Sequence, residues 1–327
     1  MTVRSQIDRR TMLAGIALAP AMMAGGCSHA GEALSIYSTL PRKITDEIGD
    51  GLREATGIET RFWRASRNAV IQRVSIEAER QETGFDVLEL ESSYLEILSR
   101  RFGLFAALGD RLDTLDPQQN FAVSRVRATA LGWNTNLLKG AAAPRGYADL
   151  LDPALRHRIV IVANAVPWFF AMHRALGETR AAQFFDALAR QGVRASQGHS
   201  LTAELVASGE YAVSPTLYDY KLAEMKSAGD PIDFALPNPL LVEESAWAVN
   251  AASTRQMEAR RFLQFAQRKA QQLYRRVGMV AGGAEEFYQT YPTSRGAKMD
   301  ADGLHSPEML ARWSQLMDDF LKRARAY

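Results

Sequence analysis

The chain has 327 residues, 47% of them hydrophobic, a length and composition suited to two packed domains. Its formal charge of +2 is matched by residues 1–26, where Arg4, Arg9 and Arg10 stand against Asp8, so the remainder is close to neutral. This excludes a basic footprint for nucleic acid, and the single cysteine excludes an internal disulfide, which leaves small molecules and protein partners as ligands.

The chain opens with Arg9-Arg10-Thr11-Met12-Leu13, an apolar run to Met23, and then Ala24-Gly25-Gly26-Cys27-Ser28. A charged start, an apolar stretch too short to span a bilayer and small residues at the end predict a signal peptide over residues 1–26. The paired arginines resemble a twin-arginine signal, with the general secretion route as the alternative. Cys27 stands where a lipoprotein carries its acyl group, so the mature chain is expected in the periplasm, anchored through Cys27 or, if cleaved beyond it, free.

Leu34–Tyr37 reads as a strand, Ile44, Ile48, Leu52 and Ala55 as one face of a helix ended by Gly57, and Ile58–Trp63 as a second strand. A helix carrying Val70, Ile71, Val74 and Ala78 leads to a third strand, Phe85–Leu90, and Ser93 with Glu96 has capping-box spacing. This is β-α-β-α-β, and the turns after its parallel strands would share one sheet edge, where ligands bind in open α/β folds. Those turns hold Ser38, Thr39, Ser66, Ser92 and Ser93, with Arg42, Lys43, Arg64 and Arg67 nearby. Helix N-termini and arginines suit an anion; the alternative is that the hydroxyls only cap helices and the basic side chains are solvated.

Arg100–Gly109 reads as a helix end and loop, and Arg125–Asn134 as a strand with Trp133 near its end. Tyr147–Leu151 is a helical turn, Asp152-Pro153 breaks it, and Ile159–Val162 is a β-branched strand buried on both faces. Ala163–Phe170 enters a helix whose Trp168 either walls a cleft or joins a core. Phe184, Phe185 and Leu188 mark a further helix, and Gln197-Gly198-His199-Ser200 opens another, with Ser200 as candidate cap and Leu201 inward. Gly209–Val213 is a turn and strand, followed by Ser214–Tyr220.

Taken in order, Leu34–Tyr37, Phe85–Leu90, Tyr147–Val162 and Ala207–Val213 resemble solute-binding proteins of bacterial ABC importers, the cluster that includes ferric-ion, hexose-phosphate and phosphonate binders. The resemblance implies a two-lobed periplasmic-binding-protein fold (type II), α/β in class, each lobe a mixed sheet flanked by helices with the ligand cleft between them. It divides the chain into a first lobe of 33–125 plus about 250–285, a second of 126–249, and a helical segment, 286–327, of either lobe. It places Trp133 and Asn134 near the hinge, and Pro237–Leu241 with Ala246–Asn250 as the return. Ferric binders of this cluster carry an adjacent tyrosine pair where this chain has Leu217 and Tyr218, and no histidine or carboxylate stands between Ser38 and Pro41. The expected ligand is therefore a small organic anion, held by Ser38, Thr39, Arg64, Ser66, Arg67, Ser92, Ser93, Trp168, His199, Ser200 and Tyr218. The alternative is ferric iron or an iron chelate on Tyr218 and Tyr220.

No nucleophile elbow, Walker loop or paired metal-binding histidines are present, so an enzyme is not expected, and neither is a cofactor. The expected partners are the ligand and an inner-membrane permease, with the protein a monomer; a sensor that presents the closed form to a receptor is the alternative role. Ser253 or Thr254 starts a helix with Met257, Phe262, Leu263 and Ala266, and a last helix buries Met309, Leu310, Trp313, Leu316, Met317 and Phe320.

Overall fold

The computed structural model describes residues 33–109, 120–292, 298–299, 304 and 306–327; the leader and Cys27 lie outside the described residues. Strands and helices alternate at the start: β1 (Leu34–Ser38), α1 (Arg42–Thr56), β2 (Thr60–Arg64), α2 (Arg67–Glu79), β3 (Val87–Glu91) and α3 (Ser92–Phe102). Gly57 ends α1 at φ 71°, a left-handed conformation that glycine adopts without steric cost, and its N–H reaches the Arg53 carbonyl. β1 lies between β2 and β3 with all three parallel.

β4 (Phe121–Asn134) follows, and then β5 (Val160–Val162), α4 (Val166–Leu176), α5 (Glu178–Arg190), β6 (Arg194–Ser196), α6 (His199–Ala207), β7 (Val213–Tyr218), α7 (Asp219–Ser227) and β8 (Ile232–Ala235). The chain returns through β9 (Leu240–Val249) to α8 (Gln256–Arg276), β10 (Val280–Ala281), α9 (Ala284–Thr290), β11 (Lys298–Met299) and α10 (Pro307–Arg325). The first lobe's sheet has the order β2-β1-β3-β9-β4-β10, with β9 antiparallel to both β3 and β4. In the second lobe β4 pairs with β7 and β8, a parallel bridge from Ile159 to Val213 adds β5, and β6 pairs beyond it.

Both lobes are mixed α/β layers, and they share β4. Residues 121–128 of that strand pair with β9, and residues 129–134 with β7 and β8. A register shift between Ala130 and Gly132 marks the second-lobe section. A Cβ on Gly132 would stand 2.8 Å from Leu222 Cδ2, so any larger residue requires the buried Leu222 side chain to shift.

Side-chain alternation builds the first lobe on two faces. Leu34, Ile36 and Val87 meet Ile44 and Leu52 of α1 and Phe262 of α8, while Leu88 and Leu90 meet Val70 and Val74 of α2 and Leu95 of α3. The second lobe's core gathers Trp168, Phe169, Phe185 and Trp133, closed by Met317 and Phe320 of α10. The C-terminal helix thus packs on the second lobe, and Leu310 at its start also touches the α2–α3 core of the first.

Several local expectations change. α3 begins at Ser92, with Glu91 in the capping position and no side-chain cap bond, so Ser93 and Glu96 form no capping box. α6 is preceded by Gly198 at φ 84°, which puts Ser200 inside the helix rather than at its cap. β7 runs on to Tyr218, where the sequence suggested an end near Val213, because Ser214 and Thr216 turn inward and satisfy each other and the Val162 N–H. α8 is capped by Arg255, with neither Ser253 nor Thr254 in that role. Leu201, Met257 and Leu316 are exposed, each lying off the buried stripe of its helix.

Candidate functional site

A cavity of about 380 Å³ opens between the lobes at the carboxyl ends of their parallel strands. The first lobe contributes Thr39 after β1, Arg64, Ser66 and Arg67 around the β2–α2 turn, and Glu91 at the end of β3. The second contributes Asn164 after β5, Gln197 to Leu201 at the start of α6, Tyr218 at the end of β7 and Tyr220 in the first turn of α7. Arg125 and Arg127 reach it from the shared strand β4.

Local sequence explains the placement. Ser66 caps α2, its Oγ accepting from the Ala69 N–H, so α2 starts at the cavity edge. Gly198 turns β6 into α6 and aims that helix start at the same space from the other lobe. The first-turn N–H groups of each helix have no intrahelical acceptor, and the helix dipole makes both ends partly positive.

The cavity floor is a buried ionic network. Arg67 Nη1 lies 3.2 Å from Glu243 Oε1 and 3.5 Å from Glu91 Oε1, and Arg127 pairs with the same Glu91 oxygen. Arg127 Nε is 3.6 Å from Glu243 Oε2. Beside them Arg125 donates to Glu89 and to Thr39 Oγ1, each at 3.2 Å. Arg67 also donates across the cleft to the Asn164 carbonyl at 3.5 Å. Three buried guanidiniums thus face three buried carboxylates, and the network's charges balance. Burial alone would raise the Glu91 carboxyl, but Arg127 and Arg67 outweigh it and hold the group down at about 2.

On the second-lobe wall His199 and Tyr218 stack with centroids 3.7 Å apart, and the Arg127 guanidinium lies 4.3 Å from the Tyr218 ring centroid. The His199 Nδ1–H donates to the Thr216 carbonyl at 2.9 Å. Burial, with Arg67 and Arg127 close by, lowers its pKa to about 3, so the imidazole is neutral at neutral pH. Burial raises the Tyr218 phenol above its ordinary value despite Arg127. Among the described residues no group of three or more histidines, cysteines and carboxylates could hold a metal ion. Leu217 points away from the cleft into a core with Leu222 and Val206.

Of the residues expected to hold the anion or iron, the cavity gathers Thr39, Arg64, Ser66, Arg67, His199, Ser200, Tyr218 and Tyr220, and Arg42 and Lys43 do not line it. It leaves out four of the expected set. Ser38 is fully buried and donates to Glu89 at 3.0 Å while accepting the Leu40 N–H. Ser92 donates to the Glu244 carbonyl, and Ser93 sits one residue further into α3, away from the lining. Trp168 lies in the second-lobe core, edge-on to Phe185 at 5.6 Å, because its helix turns that face inward. Sequence reasoning missed Glu91, Arg125, Arg127, Asn164 and Glu243, while Gln197 belongs to the loop marked in the sequence at the start of α6. A signal existed in the strands: Glu89 and Glu91, and Arg125 and Arg127, recur at i, i+2 among apolar residues, the spacing that puts each pair on one sheet face.

Residues 95–296 match the family model described as bacterial extracellular solute-binding protein. Among solved structures, the chain is similar to the substrate binding protein of an ABC transporter from Agrobacterium tumefaciens, with TM-score 0.76 at 15% identity, covering 90% of this chain and 96% of that one. It is also similar to the periplasmic binding protein AfuA from Actinobacillus pleuropneumoniae with fructose-6-phosphate bound, at TM-score 0.72, 16% identity and coverage of 89% and 98%. Iron-bound HitA from Pseudomonas aeruginosa aligns at TM-score 0.66 and 18% identity over 90% and 98%. No curated protein matches the chain.

Proposed function

The chain belongs to the bacterial extracellular solute-binding proteins, and from that membership we propose that it captures a small organic anion between its lobes and delivers it to an ABC permease in the inner membrane. The observation that carries the ligand class is the convergence of α2 and α6 on one cavity, together with Arg64. The buried arginines already have carboxylate partners, so the uncompensated positive potential comes from the two helix starts and this rim guanidinium. Arg64 spends its Nε on the Leu40 carbonyl at 2.9 Å, and the described contacts leave its terminal nitrogens to the cavity. Charge-assisted bonds from such donors suit a phosphate or carboxylate.

Iron fits this wall less well. Phenolate ligation requires the Tyr218 proton to leave, burial opposes that, and the guanidinium over its ring adds positive charge where a trivalent cation would sit. In this reading the lobes part within β4 and between β8 and β9, so closure turns about those two crossings. Export by the leader over residues 1–26 and a lipid on Cys27 complete it, with the protein acting as a monomer.

Calorimetric titration of the mature protein with phosphorylated and carboxylated metabolites and with Fe³⁺-citrate tests the ligand class. We expect an anion to bind, and Arg64→Ala to weaken it by about tenfold, the effect of one lost charge-assisted bond. Tight Fe³⁺ binding that Tyr218→Phe abolishes and Arg64→Ala leaves untouched overturns the anion reading.

A further inference from the structure

The cavity wall offers acceptors as well as donors. A carbonyl only accepts, so the bond to Thr216 fixes the His199 proton on Nδ1, and in the neutral ring Nε2 is then a lone-pair acceptor. The stack on Tyr218 holds the ring's orientation, and Thr216 is its one described hydrogen-bond partner, which leaves Nε2 for the solute. Opposite it, Glu91 lines the same cavity; its Oε1 takes both guanidiniums, while Oε2 is buried without a partner among the described residues. A plain anion offers neither group a donor. An ammonium is disfavoured beside His199, because the burial that, with Arg67 and Arg127 nearby, keeps the ring neutral also penalises a second cation there. A hydroxyl carries a donor without charge.

We propose that His199 is a specificity-determining residue whose Nε2 accepts a hydrogen bond from a solute hydroxyl, so that the preferred ligand is a hydroxylated small anion. This rests on the anion reading of the cleft and adds to it a requirement on the rest of the ligand. A site built to bond a hydroxyl rejects the analogue that lacks it, because the acceptor that the bound solute covers is then cut off from water and left unpaired.

Matched pairs separate the two ideas: glycerol 3-phosphate against propyl phosphate, and malate against succinate, titrated into the mature protein by calorimetry. In at least one pair we expect the hydroxylated member to bind about tenfold tighter or more. His199→Phe, which keeps an aromatic ring against Tyr218, should bring that pair to within about twofold, whereas His199→Gln, which keeps an acceptor, should retain part of the preference. Circular dichroism checks that each variant is folded. Equal affinities within every pair that binds overturn the inference and leave the anion reading standing. A preference that survives in His199→Phe overturns the role of His199, and failure of all four anions to bind overturns both readings.

Discussion

At the scale of single residues, the site shows how burial redistributes protons. Glu91 and Asp219 are both buried, yet they are pushed in opposite directions: Glu91 is ion-paired with Arg67 and Arg127, whereas burial of Asp219 outweighs the pull of Arg127. Asp219 begins α7 and accepts the Ala128 N–H at 3.0 Å, on the stretch of β4 where the strand passes from one lobe to the other. Burial raises its pKa from 3.8 to about 6, against the hydrogen bonds from Ala128 and Tyr220. The folded state therefore holds this proton more tightly than the unfolded chain. Its stabilising contribution is full below pH 3.8 and is lost as pH rises through about 6. Asparagine does not titrate, so the stability of the natural protein relative to Asp219→Asn should fall between pH 4 and pH 7, by roughly 3 kcal/mol at most. Urea unfolding of both proteins across that range measures it; a constant difference would show that Asp219 is ionised throughout. The same residue-level accounting explains why Arg125 and Arg127 were not read from the sequence as site residues. Two arginines in a strand read as solvated positions, and only the pairing of β3, β9 and β4 brings Glu89, Glu91 and Glu243 against them.

Elements were legible where their periodicity was long. The alternation of apolar positions from Leu34 to Leu98 gave three strands and three helices, since each helix carries its stripe for three turns or more. Two short strands were not: β6 and β8 have three and four residues, too few for a period to show, whereas β5, equally short, announced itself by its β-branched run. The caps of α3 and α6 also escaped, because Glu91 and Gly198 hold those positions without a side-chain bond, while the serines that advertise a cap fall one or two residues late. Gly132 was passed over as an ordinary strand residue. Its Cα lies against Leu222 of α7, and an added methyl at 2.8 Å from Leu222 and 3.1 Å from Leu217 would force a packed core apart. Gly132→Ala gains about 0.4–1 kcal/mol from the stiffer unfolded chain but loses about 1–3 kcal/mol to overpacking, so a net loss of stability is expected. Denaturant melting shows it as a lower midpoint; a midpoint at or above that of the natural protein would mean that α7 shifts freely.

For the molecule as a whole, the two-lobed plan was visible in the order of segments, while the partition of strands between lobes was not, because one strand serves both sheets. The same plan leaves one core in each lobe waiting for a late helix of the chain. Ile44, Ile48 and Leu52 of α1 are covered by Phe262, Leu263 and Ala266 of α8, and Phe169 and Phe185 by Met317 and Phe320 of α10. A ribosome delivers the apolar stripes of α1, α4 and α5 long before the helices that shelter them. Translation therefore runs ahead of folding over nearly the whole length, and the emerging polypeptide stays open to chaperones, translocation machinery and proteases until its last elements appear. Nascent chains stalled at Arg255 should be digested throughout residues 33–109, and chains completed to Tyr327 and released should resist under the same protease. Resistance already present at Arg255 would mean that the first lobe closes without α8.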